Sequence, residues 1–198
     1  MAEDRTGEHD HGIVRETGWK EPMITFVPLD ESHVSLMHSW LSAGETLRWY
    51  GRQLATEESI RQKYLITKPQ TGTRCFIFQH DQEPIGYLQY YRISDYPMYC
   101  SLVGAGPHDY GLDLFIGRDD QIGRGVGTQI VTAALNELIF ARDDAERCLV
   151  GPSPENKRAI RCYEKCCFRH VKTVVANDGE KEHIMVVKKP NKTLQPTS

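Results

Sequence analysis

Apolar residues recur along this chain with two periods, and the switches between them mark out the elements. Alternation in MITFVPL (23–29) predicts a first strand. Asp30 then stands where it can cap a helix over DESHVSLMHSWLS, whose Val34, Met37 and Leu41 share one face. RWYG (48–51) reads as an aromatic turn. TEESIRQKYL (56–65) opens with Thr56 and Ser59 in capping-box positions, Ser59 replacing the usual Glu, and carries an Ile60/Tyr64 face. Period two returns in RCFIFQH (74–80) and PIGYLQYYRI (84–93), joined as a hairpin through Asp81-Gln82-Glu83.

Residues 94–110 (SDYPMYCSLVGAGPHDY) have no clear period, and their aromatic, Gly/Pro-bearing composition predicts a long loop. YGLDLFIG (110–117) reads as a strand running into QIGRGVGT (121–128). Ile130, Val131, Ala134, Leu135, Leu138 and Ile139 then trace one helix face. RCLVG (147–151) is a further strand, and PENKRAIRCYEKC (154–166) a helix with Pro near its first turn. HVKTVVA and EHIMVVK close a hairpin around Asn177-Asp178-Gly179. The order of elements predicts one layered α/β domain over residues 23–189. Residues 1–22, polar and patternless, read as a disordered or loosely attached extension, and 190–198 as a tail.

Composition narrows the function classes. The chain has 198 residues, 39% hydrophobic and 26% charged, with a net charge of −3. No basic run points to nucleic acid, and no apolar stretch approaches a membrane span. The acidic N-terminus lacks the order of a signal peptide, so the expected location is the cytoplasm. Six cysteines form no CxxC pair, and Cys162, Cys166 and Cys167 crowd one predicted helix; reduced thiols are expected, and no metal. His9-Asp10-His11 reads as part of a solvated tail.

Two features carry chemistry. Gly123, Gly125 and Gly127 put unpaired backbone donors directly before a helix, where the dipole also favours an anion. A Walker loop is excluded because no Lys follows the last glycine, and a dinucleotide fingerprint because Thr128 takes its sixth position. The second feature is Asp113, alone among Leu112, Leu114, Phe115 and Ile116. It is either a surface residue of the alternation, on the face of Phe115, or a placed carboxylate.

Strand, G-x-G-x-G at a helix start, strand, then P-x-N-x-R-A-x-x-x-Y-x-K-x-x-F: this order resembles the acetyl-CoA site of the GNAT N-acetyltransferases, over roughly residues 24–188. The resemblance implies a single α/β domain with a mixed, largely antiparallel twisted sheet, helices on both faces and a central splayed strand pair holding acetyl-CoA. It implies pyrophosphate binding by the loop Ile122, Gly123, Arg124, Gly125, Val126, Gly127 and Thr128. Phe115, Ile116 and Ala159 would flank the cofactor, and Asn156 and Tyr163 would address its pantetheine arm and thiol. Ile122 stands where the family often has Arg or Gln, and Cys167 where it usually has Gly, which bears on the helix C-cap.

WYG (49–51), IGYLQYY (85–91), YGLDLFIG (110–117), GPSPENKRAIRCYEK (151–165) and the Asn-Asp-Gly turn further resemble the aminoglycoside 6'-N-acetyltransferases. That likeness implies acetyl transfer to an aminoglycoside 6'-amine, with Asp113 as general base and Tyr163 as proton donor to the departing thiolate. Trp49, Gln89, Tyr91, Asp113 and Asp178 would touch the drug; Trp49 and Tyr91 also suit a core, and Asp178 a turn. Relatives often carry Asp before P-S-P, where this chain has Gly151. Other amine acceptors (a protein N-terminus, a polyamine, a siderophore) and a non-catalytic CoA-binding module are the alternatives. The expected assembly is a monomer or homodimer.

Overall fold

The computed structural model describes residues 24–50, 56–142 and 144–190. The N-terminal extension, the His9-Asp10-His11 triplet, Gly51 and most of the tail therefore lie outside the described residues. Seven strands form one sheet in the order β1-β2-β3-β4-β5-β7-β6. They are β1 (Ile24–Pro28), β2 (Arg74–His80), β3 (Glu83–Arg92), β4 (Asp109–Ile116), β5 (Arg147–Val150), β6 (Arg169–Val175) and β7 (Lys181–Lys188). Every neighbouring pair is antiparallel except β4 and β5, which run parallel.

The helical segments are α1 (Val34–Leu41), α2 (Gly44–Trp49), α3 (Glu57–Ile60), α4 (Lys68–Gln70), α5 (Pro97–Val103), α6 (Val126–Ala134) and α7 (Lys157–Lys165). Wider π-helical turns continue α3 over Arg61–Thr67 and α6 over Leu135–Ile139. Thr56 and Ser59 form the expected capping box.

The central strand shows why helices cover both faces. Successive residues of β3 go to opposite cores: Tyr87 joins Met37, Leu41, Ile60 and Phe115 under α1 and α3, while Leu88 joins Ile130, Val131, Ala134 and Ile160 under α6 and α7. A strand buried on both faces reads as the near-continuous apolar run seen in IGYLQYY.

Three sequence expectations need correction. RWYG is not a turn: Arg48 and Trp49 end the six-residue α2, which has no side-chain cap to announce it. The loop expected over 94–110 contains α5, started by Pro97 in its first turn and ended by Gly104 in the left-handed region at φ +69°. The helix expected from residue 154 starts at Lys157, because Asn156 is its N-cap and accepts the Ala159 N–H at 3.1 Å.

Candidate active site

The site follows from a defect in the sheet. β4 and β5 pair only at Asp109–Arg147, Tyr110–Cys148 and Gly111–Leu149, beyond which the strands part. The carbonyl of Phe115 points back at Gly86 of β3. By strand alternation the main-chain groups of Leu114 and Ile116 therefore face the splay. Thr46 of α2 already uses one of them, donating its hydroxyl to the Ile116 carbonyl at 3.1 Å. A cleft of about 530 Å³ opens there, lined by α2, β4, the glycine loop, residues 151–153 and α7.

At one end the cleft presents donors. Gly123 and Gly125 take φ of +84° and +83°, and Gly125 is the N-cap of α6. Among the described residues the amides of residues 123–127 have no hydrogen-bond partner, while Thr128 and Gln129 bond back to the Gly125 carbonyl. Ile122, Gly123, Gly125, Gly127 and Thr128 line the cleft, with Arg158, Arg161 and Lys165 of α7 across from them. Arg158 and Lys165 stand at the Arg and Lys positions of the P-x-N-x-R-A-x-x-x-Y-x-K motif, whereas Arg161 falls on an unspecified position of it. Arg124 is exposed outside the lining, and the Val126 side chain is buried in the core.

Asn156 and Ala159 line the α7 wall, and capping leaves the Asn156 amide nitrogen free. Cys162 lines it too, and the neighbouring Cys166 thiol pulls the Cys162 thiol below its ordinary range. Glu45 of α2 closes the mouth, its Oε2 accepting from Arg158 of α7 and from Trp49 Nε1, both at 3.2 Å.

The opposite end is acidic and aromatic. Asp113 is half-buried in the cleft wall, on the face of Phe115. Gln89, its direct cross-strand neighbour on β3, donates Nε2–H to Asp113 Oδ2 at 2.6 Å, and Tyr87 donates its hydroxyl to Gln89 Oε1 at 2.7 Å. Burial raises the Asp113 carboxyl above the usual carboxylate range, against the opposing pull of Lys68, the Gln89 bond and Lys63. Tyr163, 8% exposed, turns into the cleft a hydroxyl with no partner among the described residues. Burial, with the nearby Cys162 and Asp113, holds that hydroxyl protonated far above its ordinary range.

Trp49 lines the cleft from α2, with the Arg48 guanidinium 4.6 Å over its ring. Tyr50, which is not among the expected contacts, lines it as well and packs edge-on against Phe115 at 5.2 Å. The remaining expected contacts are not in the lining. Gln89 is buried behind Asp113, and Tyr91 packs edge-on against Tyr96 over Gly111. Asp178 sits in the β6–β7 turn, where its Oδ1 accepts the Glu180 N–H at 3.0 Å.

The cleft thus pairs a donor-rich end suited to a polyphosphate with a carboxylate end suited to a cation, and a proton acceptor and a proton donor face the space between them. Residues 30–176 match the model of the acetyltransferase (GNAT) domain. The chain is 31% identical over 168 residues to the aminoglycoside N(6')-acetyltransferase type 1 of Klebsiella pneumoniae, an alignment covering 79% of each. Among solved structures it is similar to aminoglycoside acetyltransferase AAC(6')-Ib with coenzyme A and kanamycin (TM-score 0.71, 29% identity, 84% of this chain and 95% of that one). The same enzyme with ribostamycin and coenzyme A superposes with a TM-score of 0.73 at 29% identity, over 88% and 99% of the two chains. The splayed strands and the donor loop agree with that ancestry: the chain is an acetyltransferase and belongs to the GNAT family.

Proposed function

We propose that this enzyme transfers the acetyl group of acetyl-CoA to the 6'-amine of aminoglycoside antibiotics, and so confers resistance to them. The observation that carries the reading is the opposed charge of the two cleft ends. Unpaired loop amides with Arg158, Arg161 and Lys165 suit the polyanionic coenzyme, and the half-buried Asp113 suits a polycationic amine.

The coenzyme supplies the acetyl group as a thioester; the residues supply binding and protons. The loop amides of Gly123 through Gly127 donate to phosphate oxygens, and the free amide nitrogen of Asn156 donates to the arm running between β4 and α7. Asp113, held by Gln89, accepts a hydrogen bond from the protonated amine and then its proton, leaving a neutral nucleophile. The main-chain groups of Leu114, turned into the splay, stand beside the carbonyl under attack. Tyr163 keeps its proton throughout the physiological range, gives it to the sulfur as the C–S bond breaks, and takes back the second proton that the acylated nitrogen loses.

The test is a panel of aminoglycosides with and without a 6'-amine, assayed for release of the free coenzyme thiol. Turnover confined to the amine-bearing members is expected. Turnover independent of that amine, or none on any member beside activity on a simple polyamine, would overturn the assignment.

A further inference from the structure

Beside Gly151 the acceptor end has a feature that the acid–base pair does not use. Gly151 lines the cleft and has no side chain, and the space its Cβ would fill is taken by the carboxylate of Glu182 from β7: an ideal Cβ would lie 2.6 Å from Glu182 Oε2. The start of β7 is anchored there by the His183 N–H, which donates to the Pro152 carbonyl at 2.8 Å. Tyr99 of α5 donates its hydroxyl to the same Oε2 at 2.9 Å.

Glu182 is half-buried, and among the described residues no cation pairs with it. Its carboxyl is raised above the usual range by burial and by the nearby Asp113 and Asp178, and only the Tyr99 bond works the other way. Asp113 and Glu182 each electrostatically raise both Tyr91 and Tyr99, so the two carboxyls flank this tyrosine pair, Asp113 in the cleft lining and Glu182 directly behind the lining residue Gly151. Tyr163, nine-tenths buried and unpartnered, opens onto the acceptor end. Of the two carboxylates Asp113 feels Lys68 and Lys63, whereas Glu182 has burial and like charges against it; that costs stability in the free enzyme, and a cation beside Glu182 is the group that relieves the cost.

We infer that Glu182, lodged over the bare Cα of Gly151 and held by Tyr99, is a specificity-determining residue that binds a second ammonium group of an aminoglycoside while Asp113 takes the reacting one. The inference rests on the proposed acceptor class. It makes acceptor recognition a property of β7 and α5 as well as of β4, and it gives Gly151 a positive role: any side chain there would push the Glu182 carboxylate aside.

Steady-state kinetics of Glu182→Gln test it, using one aminoglycoside with several amines and one truncated mono-amine that keeps the reacting aminomethyl sugar. Loss of a charge-assisted contact corresponds to about a tenfold rise in KM for the multi-amine acceptor. Its kcat, the KM for acetyl-CoA and the kinetics of the mono-amine should stay within about twofold, and the salt dependence of the multi-amine KM should flatten. Gly151→Ala, which leaves the carboxylate charge in the protein but displaces it, should reproduce the rise. Equal effects on both acceptors, or an unchanged multi-amine KM in both variants, would overturn the inference. A wild-type enzyme that acetylates neither acceptor would instead overturn the proposed function.

Discussion

The two ends of the cleft are built by different means. The coenzyme end is made of consecutive backbone donors, Gly123 through Gly127, backed by basic residues of the single helix α7. The acceptor end is lined by side chains from separate segments, Trp49, Tyr50, Asp113 and Tyr163, with Gln89 of β3 behind Asp113 and the Tyr99–Glu182 pair of α5 and β7 behind Gly151. Binding by main chain demands a local conformation, and local conformation leaves a local pattern of glycines. Binding by side chains demands only that distant segments meet, which no short motif records. The first end is therefore the more portable part of the fold, and the second is where one chain can differ from its relatives.

The largest effect should come from the acceptor end. Asp113→Asn removes the base and keeps the shape, because Gln89 can still donate to the new amide oxygen. Turnover should fall by about 10²–10⁴, the usual worth of a general base, with acetyl-CoA affinity nearly unchanged. Calorimetry and initial rates measured together would show both; a variant within a few-fold of wild type would put the base elsewhere. Because burial raises this carboxyl, the folded protein binds the proton more tightly than the unfolded chain. Stability from this group is thus present at low pH and lost as pH rises from the ordinary carboxylate value through the raised one. Asp113→Asn should accordingly raise Tm at neutral pH and not below about pH 4. The acid limb of kcat/KM in the wild type should lie above the ordinary carboxylate value.

The coenzyme end should respond in the opposite column of the same measurements. Gly125 sits at φ +83° with nothing within 4 Å of an added Cβ, so the Cβ of Gly125→Val meets no clash and the left-handed backbone carries a penalty of about 1–2 kcal/mol. The loop relieves it by turning its amides, and affinity for acetyl-CoA should drop about 10–100-fold in isothermal titration. The KM for the amine should hardly move. Normal coenzyme affinity in a folded Gly125→Val would mean that these amides do not carry the pyrophosphate.

What could be read in advance follows the same division. The order of strands, the Thr56 capping box, the Asp81-Gln82 hairpin and the glycine loop are set by residues within a few positions of one another, and each was legible. Helix α5 was marked too, by Pro97 at its start and Gly104 just past its end, but its aromatic content hid that punctuation. Gln89 illustrates what is not legible. Its position pointed to the site, yet only the β3–β4 register puts it opposite Asp113 and thus behind the carboxylate. Glu182 had no signal at all: it matters because Gly151, 31 positions earlier, leaves room for it.

Tyr163 lies where the two ends meet, and Tyr163→Phe asks whether its hydroxyl belongs to the chemistry. A thiol with a pKa near 8.5 leaves readily as thiolate, so the donor is worth less than the base, about tenfold in kcat. An acid catalyst works only while protonated, and burial raises this one, so the wild-type rate should hold through pH 10 and fall above it. The variant should be slower and lose that limb. Equal rates with the same limb would make water the donor and Tyr163 a wall of the cleft.

The smallest effect belongs to the end of α7, where local geometry and residue type disagree. The Phe168 N–H bonds the Tyr163 carbonyl at 3.0 Å and the Cys167 N–H bonds the Glu164 carbonyl at 3.1 Å, the two bonds of a Schellman motif. The rings of Phe168 and Tyr163 supply its apolar contact, with centroids 5.4 Å apart. The motif requires a left-handed residue between them, and Cys167 meets the requirement at φ +67°. A side chain in that region costs about 1–2 kcal/mol, part of which glycine would give back through the freedom of the unfolded chain. Cys167→Gly should therefore stabilise the protein by roughly 1 kcal/mol, or about 2–4 °C in Tm for a chain of this size. The exposed Cys167 thiol is outside the cleft lining, so kcat and both KM values should not change. A fall in Tm would show that the thiol makes a compensating contact. A change in kcat without a change in Tm would show that the α7 terminus sets the position of Tyr163 more finely than the hydrogen bonds of the motif imply.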